Sequence, residues 1–208
     1  MGAEAMNALI EIYWQPCYRY VRLRFQRLHE EAEDLVQGFF TALLQQQLLA
    51  RYDETQGSFR SYLRACLDHF VLKTHRDQTR VKRGGGKVVP LDADHPASEN
   101  GTPEEIFYRE WQRQMFALAI EDLQHLCEDS GRKVRFQIFV QYDLAEAERP
   151  DYNRLAQTHS LPITTVTNHL AWARRELRRL LEQRVASVTP GEYERRREVR
   201  LLLGGQSS

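Results

Sequence analysis

Cysteine, proline and glycine are all scarce in this chain, and neither sign of charge predominates. The 208 residues hold three cysteines, Cys17, Cys66 and Cys127, with no CxxC pair. An odd, scattered set does not close a disulfide framework, so a reduced intracellular setting is expected. Seven prolines and eleven glycines, with almost no β-branched alternation, leave few strand signals and predict helix. No apolar run approaches the roughly 20 residues that span a bilayer. The opening Met1-Gly2-Ala3-Glu4 lacks the basic stretch and apolar run of a secretory leader. A soluble, cytoplasmic protein without membrane insertion is expected.

Catalytic and metal signatures are scarce as well. Seven histidines are scattered without zinc-ligand spacing; His69 and His75 are six apart, which does not put both on one helix face. GxSxG and HExxH do not occur. The "KRGGGK" stretch at 82–87 fails as a phosphate loop, because Val81 stands where that motif needs Gly and Val88 where it needs Ser or Thr. No metal, no cofactor and no enzymatic activity are expected.

What is present is a segregation of charge. The 29 basic and 29 acidic residues cancel overall, which argues against indiscriminate coating of nucleic acid. Between residues 60 and 87 stand Arg60, Arg64, Lys73, Arg76, Arg80, Lys82, Arg83 and Lys87, against only Asp68 and Asp77. From 91 to 129 acids dominate, and arginines return at 174, 175, 178, 179 and 184. Two basic blocks around an acidic one suggest two nucleic-acid-facing surfaces.

Residues 84–103 carry Gly84, Gly85, Gly86, Pro90, Pro96, Gly101 and Pro103 without periodicity, and read as a flexible linker. The expected architecture is all-α: helical domains over 1–83 and 104–188, and a C-terminal extension over 189–208 with room for one short helix. Thr102, Pro103 and Glu105 form a helix start of capping-box type, followed by Phe107, Trp111, Met115 and Leu118 on one face. In the first half, Phe59, Tyr62, Leu63, Cys66, Leu67, Phe70 and Val71 keep a helical stripe. An earlier helix from about Glu31 buries Leu35, Val36, Phe39 and Leu43 and leaves Asp34, Gln37 and Thr41 outside, with Gly57 turning the loop between the two.

The stretch "DYNRLAQTHSLPITTVTNHLAWARREL" at 151–177 reads as a short helix, a turn at His159 to Pro162, and a second helix. Ile163, Val166, Leu170, Ala173 and Leu177 share the second helix's inner face. The opposite face presents Thr164, Asn168, Ala171 and Arg175, flanked by Thr165, Thr167, Trp172 and Arg178. Asn can pair with adenine, Thr can touch a thymine methyl or a phosphate, and Arg can fork onto guanine, so a helix-turn-helix entering the major groove is expected. The competing interpretation is a solvated, arginine-rich hairpin. Trp172 suits either a DNA contact or packing on a neighbouring helix.

"AEDLVQGFFTALL" at 32–44, "GSFRSYLRACLDHF" at 57–70 and the 151–177 stretch, in this order and spacing, resemble the successive signatures of bacterial RNA polymerase sigma factors of the extracytoplasmic-function (ECF) type. The resemblance implies two helical domains about a linker, the first binding the polymerase clamp and melting the −10 element, the second reading the −35 element through its helix-turn-helix. It implies core RNA polymerase and promoter DNA as partners and leaves an anti-sigma factor open. Asp34, Gln37 and Phe39 resemble the family's clamp-docking residues, whereas Gly38 stands where relatives usually have an acid. Tyr62 falls where many relatives have tryptophan, and Asp68 and His69 replace a frequent Arg-Asn pair. His69, Lys73, Arg76 and Arg80 are the candidates for holding the separated −10 strand through phosphates and stacking; otherwise they form a solvated basic helix end. Thr165 and Val166 resemble the family's Thr-Val pair, and Arg174 and Arg175 its basic pair. The residues by themselves also admit a stand-alone helix-turn-helix regulator and a helical adaptor that binds another protein.

Overall fold

The computed structural model describes residues 3–45, 48–82, 101–146, 148–189 and 191–204, with side chains of Ala3 and 79–82 outside that description. Eight α-helices and no β-strand occur among the described residues: α1 Ala3–Arg24, α2 His29–Gln45, α3 Phe59–Lys82, α4 Pro103–Asp129, α5 Lys133–Asp143, α6 Tyr152–His159, α7 Ile163–Val188 and α8 Glu192–Leu202, with a 3-10 turn at Leu48–Arg51. The predicted linker lies outside the described residues except at 101–103. Among the described residues, no helix is long and apolar enough to cross a membrane. The chain divides into two compact units, residues 1–114 with 187–208, and residues 115–186, so the division falls inside α4.

The first unit forms because four helices each offer an apolar stripe. Leu9, Ile12, Tyr13, Cys17, Tyr20 and Val21 of α1 are buried against Val36, Phe39 and Leu43 of α2, Phe59, Leu63, Leu67 and Val71 of α3, and Ile106, Phe107 and Trp111 of α4. Rings knit the layer: Tyr13 meets Phe59 and Phe107 at 5.9 and 6.5 Å, and Tyr20 meets Phe107 at 5.4 Å. Helix α1, with Pro16 in its interior, is an element the sequence reading did not assign. Gly57 turns the chain into α3 at φ 148°, and Ser58 caps that helix, its Oγ accepting from the Ser61 amide at 3.1 Å.

Helix α8 also belongs to the first unit. Glu194 accepts hydrogen bonds from the Phe59 amide and from the Tyr52 hydroxyl, Glu198 ion-pairs with Arg60, and the Tyr108 hydroxyl donates to the Leu201 carbonyl at 3.0 Å. The start of α4 is a reciprocal capping box. Glu105 N–H donates to Thr102 Oγ1 at 3.2 Å and Thr102 N–H to Glu105 Oε2 at 2.8 Å.

In the second unit, Ile138 of α5, Leu155 and Ala156 of α6, and Val166 and Leu170 of α7 form a core bordered by Tyr142, Tyr152 and Leu161. Asp151 caps α6, accepting from the Arg154 amide at 2.6 Å. Ser160 ends it in the left-handed region, φ 52° and ψ 45°, which lets Leu161 N–H return to the Ala156 carbonyl at 2.9 Å and the chain turn into α7. Two bidentate arginines tie helices together: Arg184 to Asp122 of α4 at 2.7 Å, and Arg174 to Asp143 of α5 at 2.8 and 2.9 Å.

Candidate functional site

On α2 the outward positions are Asp34, Gln37 and Thr41, all exposed. Asp34 and Leu35 border a groove of about 310 Å³ whose other wall is Phe70, Thr74 and His75 of α3. Phe39 is fully buried, as the apolar stripe of α2 predicts, with Phe40 at 5.5 Å and Phe70 at 5.9 Å; it supports the helix from beneath and does not share the outward face with Asp34 and Gln37, with which the family resemblance groups it. Gly38 has a local cause. A Cβ there would lie 3.2 Å from Phe70 Cζ, so the glycine accommodates a close α2–α3 approach.

Along α3, His69, Lys73 and Arg76 are exposed, while the side chain of Arg80 lies outside the described residues. Positions 69, 73, 76 and 80 recur at helical spacing on one face. Two other members of the basic block are not surface groups. Arg60 stacks over Tyr108 and Trp111 at 4.6 and 4.7 Å, and Arg64 pairs with Asp68 at 2.6 Å and Glu104 at 3.1 Å. The expected basic face therefore begins at His69. Asp68 accepts from the Tyr20 hydroxyl at 2.8 Å as well. Burial raises its carboxyl pKa, opposed by that hydrogen bond and by Arg64.

His69 and Lys73 border a cleft of about 520 Å³ with Arg51, Tyr62, Cys66 and Phe70. Tyr62 is fixed there by donating to the Leu48 carbonyl at 2.6 Å, and burial pushes its phenol up to about 12. Rings at the wall and cations at the rim suit an unstacked base with its phosphate. Arg51 escaped the sequence reading because a four-residue 3-10 turn has no periodicity to reveal which side chain faces a cleft.

On α7, Thr164, Asn168, Ala171 and Arg175 are exposed, with Thr165 and Thr167 half-buried. The inner face is buried at Val166, Leu170 and Ala173, but Ile163 is 45% exposed, a correction to its core assignment: it begins the helix, ahead of the packed turns. Thr167 donates its hydroxyl to the Thr164 carbonyl at 2.9 Å, so it offers only acceptor lone pairs outward. Half-buried Trp172 lies under Arg135 at 4.8 Å. Arg178 pairs with Glu182 at 3.1 Å, and Arg174 is held by Asp143. The groups free to meet a groove are Thr164, Asn168 and Arg175. Burial, and then the nearby Arg135, lower the pKa of His169 below the usual imidazole value.

Residues 9–81, running from within α1 to near the end of α3, match the family model described as Sigma-70 region 2. No curated protein and no solved structure matches the chain. The region 2 match supports a sigma factor of the sigma-70 family, with a role in RNA polymerase binding and promoter melting.

Proposed function

We propose that this chain is a cytoplasmic sigma factor of the ECF type, the promoter-reading subunit of bacterial RNA polymerase. The region 2 match over α1 to α3 carries the reading. Asp34 and Gln37, exposed on α2, dock on the polymerase clamp, with Phe39 beneath them fixing the helix. The cleft beside His69 and Lys73 takes an unstacked base of the −10 element, and Arg76 and Arg80 hold the strand's phosphates. Unpairing costs a few kcal/mol, which stacking and charge neutralisation offset. Residues 104–188 form the region that reads the −35 duplex, with α6 and α7 as its helix-turn-helix: Asn168 and Thr164 meet base edges, Arg175 a guanine or phosphate, and Thr165, Thr167, Trp172 and Arg178 flank them. Residues 84–103 link the two. The chain contributes binding and positioning; the core enzyme makes the phosphodiester bonds.

The deciding experiment is co-purification with bacterial core RNA polymerase. Wild type is expected to be retained and Asp34→Arg lost, with both proteins equally helical by circular dichroism. Absence of wild-type retention, together with tight binding to duplex DNA by the protein alone, would replace this reading with a stand-alone regulator.

A further inference from the structure

Helix α8 divides its charge by face. Glu194 and Glu198 are buried inward, whereas Tyr193, Arg196, Arg197 and Arg200 face solvent. The inward acids meet a small set of groups at the start of α3. Glu194 accepts from the Phe59 amide, one of the unsatisfied donors of a helix N-terminus, and from the Tyr52 hydroxyl at 2.5 Å. Glu198 pairs with Arg60, whose guanidinium lies over the Tyr108 and Trp111 rings. A carboxylate on a helix N-terminus and another on an arginine flanked by aromatic rings is the arrangement phosphates and bases adopt on a protein.

The seat is imperfectly satisfied. Two buried polar atoms beside Arg60, Glu198 Oε1 and Trp111 Nε1, have no hydrogen-bond partner. A docked element with unsatisfied buried polar atoms is bound less tightly than its contact area implies. At the near end of the helix, a Cβ on Gly191 would meet Glu54 Oε2, so a larger residue there requires that exposed side chain to move aside. We propose that α8 is an intramolecular latch: its inward acids occupy the start of α3 and cover an arginine-aromatic surface of Arg60, Tyr52, Tyr108 and Trp111 that binds single-stranded nucleic acid when the helix lifts away. The inference rests on the reading of the first unit as acting on nucleic acid, and goes beyond it in making the C-terminal helix the competitor.

The test uses the full chain and a labelled single-stranded oligonucleotide of about 12 nucleotides. Two variants open the latch by opposite changes of charge: Glu194→Ala with Glu198→Ala, which removes two negative charges, and Leu202→Asp, which adds one at a buried position. Both are expected to bind about tenfold more tightly than wild type if the closed form outnumbers the open by about ten to one, and adding Arg60→Ala to either is expected to abolish the gain. A gain in the double variant alone would mean net charge and not unlatching, and overturn the proposal; so would a gain that survives Arg60→Ala. Amide exchange in the wild-type chain gives a readout independent of any variant's folding: saturating oligonucleotide should speed exchange across 192–202, and unchanged exchange there refutes the latch. Polymerase co-purification run in parallel separates the two readings, since wild type failing to bind polymerase sinks the sigma assignment and leaves the oligonucleotide result standing.

Discussion

Ser160 holds a backbone conformation that costs an L-residue roughly 1–2 kcal/mol, at φ 52° and ψ 45°, because the α6–α7 turn needs a left-handed residue at that point. Serine tolerates it less well than glycine would. Ser160→Gly is therefore expected to raise stability by about 0.5–1 kcal/mol after the extra chain entropy of glycine is charged against it. Ser160→Val should lower stability by more. Urea midpoints with unchanged m-values check both; a glycine variant no more stable than wild type would show that the turn is held without strain. Phe39 gives a second expectation at this scale. Being buried beside Phe40 and Phe70, it acts on any partner only by supporting α2. Phe39→Leu should cost about 1 kcal/mol and leave polymerase retention as in wild type, whereas lost retention at normal stability would return Phe39 to the contact surface.

Among the helices, the start of α4 was the most legible, because a capping box is chemistry confined to four residues: Thr102, Pro103 and Glu105 announced it and the two hydrogen bonds follow. Thr102→Ala should cost about 1 kcal/mol in thermal unfolding. The inner stripes of α2, α3 and α7 were legible for the same local reason, periodicity. Helix α1 was not, since Pro16 interrupts its stripe at a position where proline usually ends a helix. Nor was the fate of Arg60, because the acid that claims it, Glu198, stands 138 residues away in sequence; Arg64 has one partner at i+4, Asp68, and a second, Glu104, 40 residues away. Neighbouring arginines on α7 show how far composition falls short of role. Arg174 is held bidentately by Asp143 of α5, while Arg175 is exposed beside it. Arg175→Ala should weaken binding of duplex DNA and reduce the slope of log K against log salt by about 1. Arg174→Ala should act mainly through loss of the α5–α7 tie, worth up to about 1 kcal/mol for a half-exposed pair. Identical salt slopes for wild type and Arg175→Ala would remove Arg175 from the phosphate contacts.

Chain order and spatial order part company at the level of the whole molecule. Helix α8 follows α7 in sequence, yet its acids and its Leu201 carbonyl bind Phe59, Arg60 and Tyr108, all of the first unit. The tryptophans make this testable, since Trp14 and Trp111 lie in the first unit and Trp172 in the second. Deleting residues 190–208 removes the Glu194 bond to the α3 N-terminus and leaves Arg60 without its carboxylate. Loss of a cap alone costs about 1 kcal/mol, and a partly buried, unpaired guanidinium adds to that. In a Trp172→Phe background, the deletion should therefore lower the thermal midpoint seen by Trp14 and Trp111 fluorescence by several degrees. In a Trp14→Phe/Trp111→Phe background, the midpoint seen by Trp172 should not move. A shift confined to Trp172 would assign the tail to the second unit's stability. An equal shift in both would mean that the two units unfold as one cooperative body, with α4, shared between them, transmitting the loss.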